Sequence, residues 1–105
     1  MDEIQKIIKE FKKELKNLYG EKFKKIILFG SYAIGKFNEN SDIDLVIVLE
    51  SIESPGREID RMIDIITEIN LKYNVLLSVV PVSINDYKNL NSPLLINVRK
   101  EGITS

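Results

Sequence analysis

The chain has 105 residues, 44% of them hydrophobic and 30% charged, with a formal net charge of −1, which suits a single domain over residues 1–105 and leaves no room for a second. It contains no Cys and no His, so disulfides, thiolate metal sites and imidazole bases are excluded, and any chemistry must run on carboxylates, hydroxyls, Lys and backbone. Eight Lys against five acids in the first 25 residues make too weak a basic bias to support a nucleic-acid partner, and with no apolar run near the roughly 18 to 20 residues of a membrane span the cytoplasm is the expected compartment.

In chain order, Ile4, Ile7, Ile8, Phe11, Leu15 and Leu18 recur at helical spacing among Lys and Glu, and Gly20 follows as a C-cap; an amphipathic helix with one buried face is expected. Lys25 to Phe29 is a short apolar run closed by Gly30, long enough for a buried strand and too short for a helix. Ser31 to Gly35 suits one helical turn, and Lys36 to Ser41 reads as a polar loop. A Val- and Ile-rich second strand covers Ile43 to Leu49.

Ser54-Pro55 with Glu58 marks a helix start, and Ile59, Met62, Ile63, Ile66 and Ile69 carry that helix to about Tyr73. Val75 to Val82 is the most strand-like segment, turned by Asn74, and Pro81 places it at a sheet edge or a strand end. Ser83 caps a short turn through Asp86-Tyr87, and Ser92-Pro93 opens a last helix that ends before Gly102. The order of elements, helix, strand, turn, strand, helix, strand, helix, gives an α/β (α+β) class.

Two short motifs carry chemistry. Asp42 and Asp44 are two apart on a strand, so their carboxylates leave the same face about 7 Å apart and repel unless a cation or a proton relieves them. Mg²⁺ held with a nucleotide triphosphate suits such a pair, because Mg²⁺ takes one or two carboxylates plus phosphate oxygens and water. Alone, Asp-x-Asp reads as solvated acids at a strand end. Gly30-Ser31 follows the first strand, and there the Gly admits a phosphate close to the backbone while the Ser hydroxyl and the N–H groups of the turn face the anion. Alone, this too reads as a plain strand-to-helix turn capped by Ser.

Together, Gly30-Ser31-Tyr32-Ala33-Ile34-Gly35 and Ser41-Asp42-Ile43-Asp44-Leu45-Val46-Ile47 resemble the nucleotidyltransferase superfamily that includes DNA polymerase beta and the aminoglycoside nucleotidyltransferases, and most of all its minimal prokaryotic members. The tail, Ser92 to Leu95 and Asn97 to Gly102, has the look of the small stand-alone domains. The resemblance implies a palm-like fold, a small mixed sheet with helices on one face and the acidic pair on the other. It also implies transfer of a nucleoside monophosphate from an NTP, with ATP as the expected donor, to a hydroxyl. Asp42 and Asp44 would hold Mg²⁺ or Mn²⁺, and Gly30 and Ser31 would bind the phosphates.

The sequence departs from that pattern twice. Active members place a third carboxylate on a neighbouring strand, whereas Val75 to Val80 holds no acid and offers only Ser78, a degenerate third position or simply a hydroxyl accommodated in a sheet. Ile34 stands where related turns carry Arg, with Lys36 as the nearest cation. Asp60 and Asp64, one helical turn apart, would stand in for the acid only if they were not the solvated face of their helix.

Stand-alone members of the family are often antitoxins of helical HEPN-type proteins, some acting by modifying a Tyr. The resemblance therefore implies a HEPN-type partner, acting as acceptor of the nucleotidyl group or, if catalysis has been lost, as a toxin neutralised by binding alone. An antibiotic-modifying enzyme completed by a second subunit is a third reading, and self-association is left open.

Overall fold

The computed structural model describes residues 2–38 and 40–105, with the backbone alone at residue 2. Helix α1 (Asp2–Tyr19) leads through a 3-10 turn at Gly20–Lys22 into strand β1 (Phe23–Phe29). A second 3-10 turn at Gly30–Tyr32 and the polar loop precede β2 (Ile43–Leu49). Then follow α2 (Pro55–Tyr73), β3 (Leu77–Ser83), α3 (Ile84–Asn89), α4 (Pro93–Glu101) and a two-residue strand β4 (Ile103–Thr104).

The strands form one mixed sheet in the order β3-β2-β1-β4. β1 lies antiparallel to β2 and to β4. β2 and β3 are parallel, which requires a long crossover, and α2 supplies it. Local signals fix the ends of that crossover. The Ser54 hydroxyl accepts a hydrogen bond from the Arg57 N–H, Pro55 occupies the first helical position, and Asn74 ends the helix in the left-handed region at φ 52°, as Asn does more readily than most residues. β3 is an edge strand in which Pro81 costs no ladder bond on its outer side.

Alternation along the strands builds two cores. Ile26, Leu28, Ile43, Leu45, Ile47, Leu49 and Leu77 pack beneath α1 and α2, against Ile7, Phe11, Leu15, Met62, Ile66 and Ile69. On the opposite face Ile27, Val46, Val48 and Val82 pack against Leu95 and Val98 of α4. A register shift between Phe23 and Lys25 lets Phe23 join the α1–α2 core three residues before Ile26, where strict alternation would turn it to the other face.

Two expectations from periodicity need correction. Leu18 is 43% exposed and Ile63 46% exposed, each at the margin of its helix's apolar stripe. Tyr19 packs against the core in place of Leu18, and its hydroxyl donates to Glu58 at 2.8 Å. Glu58, read as a helix-start residue, is in fact buried at 3% exposure, with Arg61 Nη1 3.6 Å from the same oxygen. β4 was not expected. Its pairing with Ile27 and Leu28 depends on Gly102, where a Cβ would collide with Ile27 and with the Val98 carbonyl. Among the described residues no helix is long and apolar enough to cross a membrane.

Candidate active site

The C-terminal end of β1 meets the N-terminal ends of β2 and β3 at one end of the sheet. Asp44, the second residue of β2, pairs with Phe29 on one side and with Ser78 on the other. Its side chain takes the face of Val46 and Val48, opposite α1 and α2, because strand side chains alternate. α4 covers that face over Val46 and Val48, while Asp42 just before the strand is exposed and Asp44 only partly buried. The acidic pair therefore sits at the mouth of the uncovered end.

Gly30 closes the site from the β1 side. At φ 73° it occupies the left-handed region that residues with a Cβ avoid. A Cβ there would also overlap the Asp44 carboxylate. Gly30 thus brings the turn's backbone against the Asp44 carboxylate, a juxtaposition that the ten residues separating the two motifs do not reveal.

The Gly30 carbonyl accepts from the Ala33 N–H at 3.1 Å and the Ile34 N–H at 3.3 Å, and the Ser31 carbonyl accepts from the Lys36 N–H at 2.9 Å. Those bonds close the turn and use up its later donors. The donors available to an anion are then the earliest N–H groups of the turn, which have no partner within it, together with the half-buried Ser31 hydroxyl. Tyr32 is buried at 8% exposure and stacks on Phe37, with ring centroids 4.4 Å apart, so the turn is anchored in the core.

Burial pushes the Asp44 carboxyl above the usual carboxylate range. The neighbouring Asp42 charge pushes it further, and a hydrogen bond from Ser78 works the other way. Burial and a neighbouring like charge both disfavour a charged carboxylate that has no counterion. Two carboxylates beside a turn with free N–H groups are a donor set that fits Mg²⁺, which completes its shell with phosphate oxygens and water. Among the described residues no group of three acids could hold a metal ion, and β3 carries no acid.

Ser78 lies beside Asp44 in the register and on its face. Asp60 and Asp64 do not reach the site. Both are exposed on α2, whose inward residues Met62, Ile66 and Ile69 pack on the other side of the sheet. Ile34, half exposed, shares with Phe29, Gly30, Leu94, Asn97 and Glu101 a cleft of about 180 Å³ beside the turn. Lys36 lies exposed in the loop beyond. The α4 side of this cleft had no signal in the sequence, since it comes from a helix some 60 residues away.

The profile of the nucleotidyltransferase domain family matches residues 8–102. The chain belongs to that family. A Methanocaldococcus jannaschii protein named as a candidate protein adenylyltransferase is 41% identical over 99 residues, covering 93% of each chain. A Thermococcus cleftensis protein named protein adenylyltransferase MntA is 39% identical over 54 residues, about half of each chain. Among solved structures, a toxin–antitoxin complex with AMP-PNP superposes with a TM-score of 0.61 at 19% identity, over 90% of this chain and 68% of the other. A variant MntA toxin–antitoxin complex gives 0.59 over 95% and 69%. At that identity the two complexes establish the fold of this nucleotidyltransferase domain, which is the mixed sheet the motifs implied.

Proposed function

We propose that this domain is a Mg²⁺-dependent adenylyltransferase that moves AMP from ATP to a hydroxyl of a protein partner, and that the partner is a HEPN-type toxin to which it serves as antitoxin. The observation that carries the reading is the contact between Gly30 and Asp44, which puts an anion-binding turn and a cation-binding carboxylate on adjacent strand ends. The relatives named as protein adenylyltransferases support the choice of AMP and of a protein acceptor, and the toxin–antitoxin neighbours support the partner.

Each side chain has a role in this scheme. Asp42 and Asp44 would hold Mg²⁺ or Mn²⁺, which supplies charge neutralisation of the triphosphate and of the in-line displacement at its α-phosphorus. Ser31 and the first N–H groups of its turn hold the terminal phosphates and orient pyrophosphate as the leaving group. The acceptor hydroxyl enters from the open end of the sheet. No His is present and, among the described residues, no third acid joins the pair, so rate enhancement rests on positioning and electrostatics more than on a dedicated base.

The lack of an acid on β3 favours a second reading, in which the domain neutralises its toxin by binding alone. Incubating the protein and the product of its neighbouring gene with Mg²⁺ and each labelled NTP separates the two. Label on the neighbour from ATP, lost in an Asp42→Asn, Asp44→Asn double variant, is the expected result. A stable complex that never takes up label would overturn the transferase and leave the binder.

A further inference from the structure

The Asp44 carboxylate has a neighbour on each flanking strand. On the β1 side the backbone of Gly30 lies so close that a Cβ there would overlap Asp44 Oδ2. On the β3 side Ser78 is its register partner, half-buried and on the same face, about 4.8 Å away across the ladder. We propose that Ser78 is a positioning residue, whose hydroxyl pins the Asp44 carboxylate against Gly30 in the one orientation that lets it share a cation with Asp42.

The chemistry of the two sides favours this division of labour. Gly30 contributes only bulk and limits where the carboxylate can swing. A hydroxyl can donate to one carboxylate oxygen and leave lone pairs on the other for a cation, and the Ser78 hydroxyl, beside Asp44 in the register, favours the charged form of that carboxyl. Asp42 is exposed just before β2 and lacks the strand neighbours on both sides that fix Asp44. Order in the pair is thus supplied through Asp44, and through it by Ser78. A free carboxylate would have to be ordered when the cation binds, which costs affinity. With Ser78 donating, the site has a two-carboxylate donor set that takes its cation together with the nucleotide's phosphates.

This inference rests on the reading of Asp42 and Asp44 as the cation site, and its test keeps the two separable. Mn²⁺ binding would be followed by electron paramagnetic resonance in the presence of α,β-methylene-ATP, for the wild type, Ser78→Ala, Ser78→Thr and the Asp42→Asn, Asp44→Asn double variant. Melting temperatures would be taken alongside. The double variant should lose the bound Mn²⁺ signal; if it binds as the wild type does, the cation site itself has been misplaced. Given that loss, Ser78→Ala should weaken Mn²⁺ roughly tenfold, near the low end for a hydrogen bond to a charged group. Its melting temperature should not change, and Ser78→Thr should restore the affinity, since the hydroxyl is retained on a residue that suits a strand. Wild-type affinity in Ser78→Ala would overturn the positioning role. So would a loss that follows a fall in melting temperature and that Thr does not rescue.

Discussion

The two faces of the sheet are built from the same three long strands, β1, β2 and β3, and are finished differently. Beneath α1 and α2 the cover is complete, and Phe11, Leu15, Ile26, Leu45, Ile47 and Met62 all have no exposed surface. On the other face α4 covers Ile27, Val46 and Val48 and leaves the strand ends with Asp42 and Asp44 open. The closed face carries stability and the open end carries like charge, which folding by itself does not reward. Gathering carboxylates without a counterion costs stability.

That contrast can be broken most directly on the closed side. Phe11→Ala should cost about 3 to 5 kcal/mol, a large share of the roughly 5 to 15 kcal/mol typical of a whole domain. Urea denaturation would measure it, and a loss under about 1 kcal/mol would mean that the α1 contact is loose. Next, Tyr19→Phe removes the donor to buried Glu58 and should cost about 1 to 3 kcal/mol. The same pair has a pH signature. Burial, with help from the Glu58 hydrogen bond, raises the Tyr19 hydroxyl well above its ordinary value of 10. The unfolded chain therefore releases that proton first, and stability present in full below about pH 10 should fall as pH rises above it. In Tyr19→Phe the part of the alkaline decline due to this residue should vanish.

At the boundary between the faces, Gly30→Ala places a Cβ in the left-handed region and against Asp44. It should cost about 1 to 3 kcal/mol and abolish binding of Mg²⁺–ATP measured by calorimetry. Retained binding would separate the turn from the cation site. On the open side the sign reverses: the Asp42→Asn, Asp44→Asn double variant should melt no lower than the wild type without metal, while losing Mg²⁺–ATP binding. A clear drop in melting temperature would make the pair structural. The smallest effect expected is that of Ser31→Ala, with an unchanged fold and nucleotide affinity reduced roughly tenfold to a hundredfold, the worth of one hydrogen bond to a charged group.

Much of this molecule is legible in its amino-acid sequence. Helical spacing from Ile4 to Leu15, the Ser54-Pro55 start and Asn74 stop of α2, and the apolar runs of β1 and β2 are local signals, set by side-chain period and by capping chemistry within a few residues. Asp42, Asp44, Gly30 and Ser31 stand out because a carboxylate pair and a Gly-Ser turn have recognisable composition. What one-dimensional pattern does not supply is whatever depends on partners far along the chain. The inward turn of Glu58 follows from Tyr19, 39 residues away. β4 is two residues long and exists because β1 offers it an edge and Gly102 the room. The placement of Ser78 beside Asp44, and of Asp60 and Asp64 on the wrong side of the sheet, follows from the parallel register that α2 imposes on β3. Residue type and spacing determined which groups were available for chemistry, and strand pairing decided which of them meet, because contact across a sheet is fixed by register and not by distance along the chain.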